Sequence, residues 1–289
     1  MANPLTGRPK PDQRSFSVTR DGLHQLAEQV LAADRFRHDG RIGLQSTPGG
    51  FASPWEIVEG AKRCVRVEGT ELVLVDGDHR TAQPITTVRA AAALLGMNAG
   101  APPVYRAATS VTLDAALHID PDAAAVIADW FEFGANALER FLAAHPELAD
   151  RAVGPTLWPE HFDLAVTIAD VGRGELVVGV SPGDRTPADG GDPHAGTSAP
   201  SDAEQVDSEQ VDAEQVDAGQ VDAEHVDAEP IGDVTPYAYV SWPGVERDAA
   251  GRAVDPWWNR PWGRWVPAAD VDAVDDLVEL FEEGLARSR

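Results

Sequence analysis

Two short constellations carry side chains able to do chemistry. His161 and Asp163 are separated by one residue in a run whose apolar positions alternate through Phe162, Leu164, Val166 and Ile168. In an extended strand successive side chains point to opposite faces, so this spacing predicts His161 and Asp163 together on the face opposite the apolar row. An imidazole beside a carboxylate can hold a divalent metal or act as an oriented base. His118 and Asp120 repeat the spacing at the end of a second alternating run, Val111, Leu113, Ala115 and Leu117, so His118 would join a metal site if the two strands were neighbours. Against this, Asp120 stands directly before Pro121 and suits a helix N-cap, and an isolated His-x-Asp pair lacks the specificity of His-Glu-x-x-His on a helix.

The second constellation is aromatic. Five of the eight tryptophans fall between Trp242 and Trp265, interleaved with Pro243, Pro256 and Pro261. Within this stretch Trp258, Asn259, Arg260 and Trp262 form a candidate ligand site, the indoles for stacking and the polar side chains for hydrogen bonds. The same indoles could equally plug one end of the core, since large aromatics are mostly core material. A third pattern fails on inspection. Gly179-Val180-Ser181-Pro182-Gly183 matches the G-x-S-x-G of a hydrolase nucleophile elbow, but the residue after that serine must lend a backbone N–H to the oxyanion and Pro182 has none. Asp76, Asp78 and His79 sit on a hairpin turn, where aspartates satisfy their own backbone. No Walker pattern and no strand-linked G-x-G-x-x-G occurs, so nucleotide cofactors lack support and a divalent metal is the cofactor to consider.

Periodicity supplies the elements that must position these groups. Leu23, Leu26, Ala27, Val30 and Leu31 recur at helical spacing behind Thr19, which predicts a first helix from about Arg20 to Phe36 capped by Thr19. Cys64–Val67 and Glu71–Val75 form a hairpin, and Val88–Leu95 a short helix stopped by Gly96. Asp120 as N-cap and Pro121 at the first helical position open a buried helix that runs to about Ala144 and is ended by Pro146. Phe162–Ile168 and Leu176–Val180 pair across Gly172-Arg173-Gly174, Tyr237–Trp242 is a further strand, and Val271 to Leu285 make a final amphipathic helix. Paired strands mixed with long helices, without regular β-α-β alternation, indicate an α+β fold of antiparallel hairpins packed with amphipathic helices.

Charge and composition bound the rest. The chain of 289 residues carries 48 acidic against 23 basic side chains, net −25, which repels nucleic acid and anionic lipid surfaces. Cys64 is the only cysteine, so an internal disulfide scaffold and a four-thiolate zinc site are excluded. No apolar leader or run of about 20 apolar residues is present, and the expectation is a cytoplasmic protein. Residues 1–13 are proline-rich and polar and are expected to be disordered. Residues 184–233 become a Pro/Gly/Asp stretch followed by the five-residue repeat DAEQV-DSEQV-DAEQV-DAGQV-DAEHV. That span holds 15 acidic residues and one arginine, so the remainder of the chain is only moderately acidic at −11. Valines every fifth position gather on neither a helix face nor a strand face, so the repeat has no core of its own and is expected to be a disordered insert. Residues 14–183 and 234–289 are then expected to form one continuous domain.

Four segments carry a resemblance. Leu157-Trp158-Pro159-Glu160-His161-Phe162-Asp163-Leu164-Ala165, Ser181-Pro182-Gly183-Asp184, Pro236-Tyr237-Ala238-Tyr239-Val240 and Trp257-Trp258-Asn259-Arg260-Pro261-Trp262-Gly263 resemble successive motifs of an uncharacterised protein family common in actinobacteria. The resemblance runs from about Asp122 to Gly284. It implies that the SPGD and tyrosine-bearing segments belong side by side, with the acidic repeat an expansion of a surface loop, and it carries over no catalytic residues. The resulting expectation is a protein that binds a small molecule or a protein partner through a face near His161, Asp163 and the tryptophan-rich loop. The alternative is a metal-assisted hydrolase using His161 and Asp163, with His118.

Overall fold

The computed structural model describes residues 1–6, 11–172, 174–184 and 234–289. The acidic repeat expected as a disordered insert lies outside the described residues, except that Asp184, placed by sequence at its start, is described and belongs to the fold.

The first helical run is longer than its apolar stripe predicts. It comprises α1 (Gln13–Leu26), a π-helical turn at Ala27–Leu31, and α2 (Ala32–Asp39) ended by Gly40 in the left-handed conformation. Asp12 is the N-cap, its carboxylate accepting from the Ser15 N–H. Thr19, expected to cap this helix, is instead buried within it, and its Oγ1 accepts the N–H of Asp120 at the start of the next long helix. The expected disorder of residues 1–13 does not hold at Asn3, and residues 7–10 of that span lie outside the described residues. Asn3 is buried, its Nδ2 donating to the carbonyls of Ala268 (2.8 Å) and Val271 (2.6 Å), which ties the N-terminus to the far end of the chain.

Six strands form the first sheet: β1 (Gln45–Thr47), β2 (Gly50–Ala52), β3 (Glu56–Val58), β4 (Ala61–Glu68), β5 (Glu71–Asp76) and β6 (His79–Pro84). The order is β1-β2-β4-β5-β6, with β3 also pairing with β4, all antiparallel. The β4–β5 hairpin follows the sequence expectation. β6 is an exposed, polar edge with no apolar alternation to announce it. After α3 (Val88–Leu94) the chain is irregular through Ile119. The strand expected at Val111–Leu117 does not form, because these residues find no neighbouring strand. Their carbonyls and N–H groups bond to the α3 region, Arg89 N to Leu113 O and Leu117 N to Thr86 O, while Val111, Leu113 and Leu117 pack against the core as a covering loop.

The buried helix α4 (Pro121–Ala144) starts as expected, with Asp120 accepting the Ala123 N–H and Pro121 in the first turn. The second sheet contains β7 (Ala152–Trp158), β8 (Asp163–Val171), β9 (Gly174–Ser181), β10 (Tyr237–Ser241) and β11 (Gly263–Pro267), in the antiparallel order β11-β10-β9-β8-β7. β9 and β10 flank the acidic repeat in sequence and pair directly, Ser181 opposite Tyr237, so both sides of the repeat enter one sheet. The two sheets are joined by reciprocal bonds between Leu44 and Leu157, of 2.8 and 2.9 Å. Helix α4 contacts strands of both sheets, and α5 (Val274–Ser288) packs beside it. Gly134 lets α4 lie directly on Val180 of β9, where a Cβ would have no room. One core cluster draws on the helices and on the inner faces of both sheets, Leu164, Val166, Ile168, Ala238 and Val240 among them. Among the described residues, no helix is long and apolar enough to cross a membrane.

Candidate functional site

The turn between β7 and β8, Pro159 to Phe162, is where the chemistry collects. The N–H groups of His161 and Phe162 both bond to the Trp158 carbonyl, and Phe162 adopts a left-handed φ of 54°. This conformation costs an L-residue of order 1 kcal/mol. The ring is held there by contacts on several sides: it stacks on His24 (centroids 5.4 Å apart, planes at 12°) and meets Phe51 and Phe131 edge-on. The turn overturns the expectation that His161 and Asp163 share a strand face. Alternation begins only at Asp163, which lies on the face of Ala165 and Tyr239, whereas His161 belongs to the turn and faces a cleft.

Opposite the turn, α1 and the π turn present Arg20, His24 and Glu28, spaced four residues apart so that they stack along one helix face. All three are buried. The Glu28 carboxylate accepts the backbone N–H groups of Ala108 (2.7 Å) and Thr109 (3.0 Å) and the Thr109 hydroxyl, which fastens the covering loop over the helix. His24 Nε2 lies 2.8 Å from the Pro159 carbonyl. A carbonyl only accepts, so this nitrogen carries the proton. Burial, reinforced by the nearby Arg20 charge, holds the imidazole well below its ordinary pKa, so it is neutral and Nδ1 is an acceptor. Nδ1 has no partner among the described residues. Glu160, on the turn, is likewise buried with Oε2 unpartnered, and burial pushes its carboxyl up to about 7. Arg20 extends over Phe162 and is gripped by two carboxylates, Asp21 (3.3 Å) and Asp184 (3.0 Å).

These groups surround a cleft of about 360 Å³ lined by Arg20, Asp21, His24, Gln25, Glu160, His161 and Asp184, with Ala108, Thr109 and Ser110 from the covering loop. Behind it lie two tyrosine–carboxyl pairs. Tyr237 donates to Asp184 and Tyr239 to Asp163. Asp163 is enclosed, its carboxyl pushed up to about 7 by burial despite the Tyr239 bond, and its Oδ1 has no partner among the described residues. Chemically the cleft is lined by a neutral imidazole, His24, and by a carboxyl, Glu160, that gains or loses a proton near neutrality, around a space of small-molecule size.

The other expected site residues are elsewhere. His118 lines a separate cleft with Asp12, Arg14 and Asp120, so His118, His161 and Asp163 occupy three different environments and do not assemble. Among the described residues no group of three or more His, Cys, Asp or Glu side chains is placed to hold a metal ion. The tryptophan-rich segment divides across the second sheet instead of forming a face with His161. Trp258 enters the main core and stacks on Trp242 at 5.8 Å, whereas Trp262 packs against Tyr239 on the other side. Asn259 bonds the backbone N–H and carbonyl of Trp265 (2.8 and 2.9 Å), closing the loop into β11, and Arg260 lies on the Trp265 ring. Ser181 is buried, and its hydroxyl accepts the Gly183 N–H within the turn that leaves β9, which fits the rejection of a nucleophile elbow.

Sequence reasoning missed Arg20, His24, Glu28 and Glu160. The available signal was the repeat of polar residues at four-residue spacing beside the apolar stripe of α1, a pattern that also describes the solvated border of an ordinary surface helix. Compared with known proteins, the chain matches no family model, no curated protein and no solved structure.

Proposed function

We propose that the protein binds a small polar molecule in the cleft between α1, the covering loop and the β7–β8 turn. The observation that carries this reading is the cleft of about 360 Å³ whose walls gather polar and charged side chains from separate segments, Arg20 and His24 of α1, Thr109 of the covering loop, and Glu160 and His161 of the turn. The enclosing groups are also fixed in place: Glu28 anchors the covering loop, Phe162 locks the turn, and the two tyrosine–carboxyl pairs back the floor. Preorganisation of this kind is what a binding site requires. The resemblance to the actinobacterial motif family is compatible with this reading, since its WPEHFD and SPGD motifs supply Glu160, His161 and Asp184.

The test is a screen of small polar fragments, amines, carboxylates, amides and sugars, followed by backbone amide shifts in the labelled protein. Binders should shift the amides of Arg20, His24, Thr109, Glu160 and His161. A screen without binders, or binders that map consistently to another region, would remove the reading.

A further inference from the structure

Between α3 and α4 the covering loop runs without a helix or strand over residues 95–120. Stretches beyond about 12–15 residues with no secondary structure of their own are uncommon in compact domains, and many serve as lids over a site. The flanks of this loop are anchored to the body of the fold. Met97 and Ala99 on one side and Val111, Leu113 and Leu117 on the other pack against the core. Backbone bonds join Gly100 N to Gln29 O (3.1 Å), Arg89 N to Leu113 O (3.0 Å) and Leu117 N to Thr86 O (2.8 Å). The tip between the flanks, residues 103–110, is held differently. None of its side chains belongs to the core cluster, and Pro103, Val104, Arg106, Ala108 and Ser110 are exposed. Among the described residues, every hydrogen bond from the tip to the rest of the chain ends on Glu28. The carboxylate accepts the N–H groups of Ala108 (2.7 Å) and Thr109 (3.0 Å) and the Thr109 hydroxyl, and the Tyr105 hydroxyl reaches the Glu28 carbonyl at 3.5 Å. Ala108, Thr109 and Ser110 are also the part of the loop that walls the cleft.

Glu28 is suited to release the tip as well as to hold it. Among the described residues its buried carboxylate has no lysine or arginine as an ion-pair partner, and the His24 imidazole at 3.9 Å is neutral. The donors of the tip are therefore its main compensation, and burial still pushes the carboxyl above its ordinary range. When the tip lifts, the carboxylate loses those donors and meets water, which returns the hydration that burial took away. The two effects oppose each other, so an open state lies within reach of local fluctuation. Glu28 also belongs to the π-helical turn Ala27–Leu31, which supplies the Gln29 carbonyl that anchors Gly100, and such turns recur at functional sites. We infer that residues 103–110 form a lid on the cleft, latched by the Glu28 carboxylate, which lifts as a unit while the flanks of the loop stay in place. The inference rests on the reading of the cleft as a small-molecule site and adds how that site opens. Closed, the lid is one of the fixed walls. Open, it uncovers Glu28 and widens the cleft on the side of α1.

Amide hydrogen exchange and relaxation dispersion on the full labelled chain at pH 7 test the lid. Ala108 and Thr109 should share one protection factor of about 10–1000, as a single minor open state dictates, and should be at least about tenfold less protected than Arg89 and Leu117. The amides of residues 104–110 should report one common rate in the microsecond-to-millisecond range, absent at Met97, Leu113 and Leu117. Glu28→Gln keeps one acceptor oxygen and sets an NH2 group against the other backbone donor. Exchange at Ala108 and Thr109 should then accelerate at least about tenfold, with Gly100, Arg89 and Leu117 within about twofold of wild type. Thr109→Val removes only the hydroxyl bond and should accelerate both amides about three- to fivefold, which tests the latch even where E28Q does not fold. Protection of Ala108 and Thr109 equal to that of the flanks, unrelated rates among the tip amides, or flanks that open together with the tip would each overturn the lid. All of these are read without a ligand. Failure of the lid therefore leaves the small-molecule reading standing, whereas a fragment screen without binders removes that reading whatever the tip does.

Discussion

Replacing Asp163 by asparagine should stabilise the protein by about 3 kcal/mol more at pH 8 than at pH 5. Asp163 is enclosed, its carboxyl pushed from an ordinary 3.8 up to about 7, chiefly by burial, with Tyr239 as its hydroxyl partner. Between those two values the folded state holds a proton that the unfolded chain has released, so stability falls as pH rises through the interval and levels off above about 7. From pH 5 to pH 8 the loss spans about two pH decades, or about 3 kcal/mol. The asparagine amide would keep an oxygen for the Tyr239 hydroxyl, carries no charge at either pH, and escapes the loss. Tyr239→Phe acts in the opposite direction. It removes the donor that eases the buried carboxylate, costing about 1.5–3 kcal/mol at pH 8, where the acceptor is ionised, and about 1 kcal/mol at pH 5. Glu160 and Glu56, each pushed up to about 7, slope the same way as Asp163. His24, whose pKa is depressed, slopes oppositely, since its contribution is lost as pH falls below about 6.5. These cancel when wild type and variant are compared at each pH. Urea denaturation followed by tryptophan fluorescence measures the difference. If D163N shifts stability equally at pH 5 and pH 8, or destabilises at both, the account of Asp163 as a buried acid is wrong.

Two further outcomes follow from the same structure. Arg63→Ala removes the guanidinium that grips Asp34 through both terminal nitrogens, leaving that buried carboxylate, among the described residues, Arg37 at 3.0 Å and His38 at 3.7 Å; thermal unfolding should show a loss of about 3 kcal/mol, and a loss below about 1 kcal/mol would mean the pair contributes nothing. Glu28→Ala strands the N–H groups of Ala108 and Thr109, so hydrogen exchange at these two amides should accelerate at least about tenfold and stability fall by about 2–4 kcal/mol, whereas unchanged protection at both would show that the covering loop holds without the carboxylate.

Much of the fold follows from local pattern. The Asp120-Pro121 start of α4, the β4–β5 and β8–β9 hairpins, β10, and the α+β class all rest on capping chemistry and periodicity, which neighbours in sequence specify among themselves. The exclusion of a serine nucleophile at Ser181 needs no more than the missing N–H of Pro182. The candidate site is of another kind. Alternation through Phe162 implies a strand, yet packing of its ring against His24, Phe51 and Phe131 holds the residue in a left-handed turn, which separates His161 from Asp163. The Val111–Leu117 alternation likewise becomes a loop for want of a partner strand, and β6, β7 and β11 form because a partner is there to receive them. Arg20, His24 and Glu28 look like the wet border of a helix until the covering loop closes over them, and Asp184 looks like the first residue of the acidic tract until Tyr237 and Arg20 bind it. Burial, and with it every perturbed carboxyl in the cleft, is a property of which distant segments meet. Short-range spacing can name the side chains available, but long-range packing chooses which of them lose water and so become reactive.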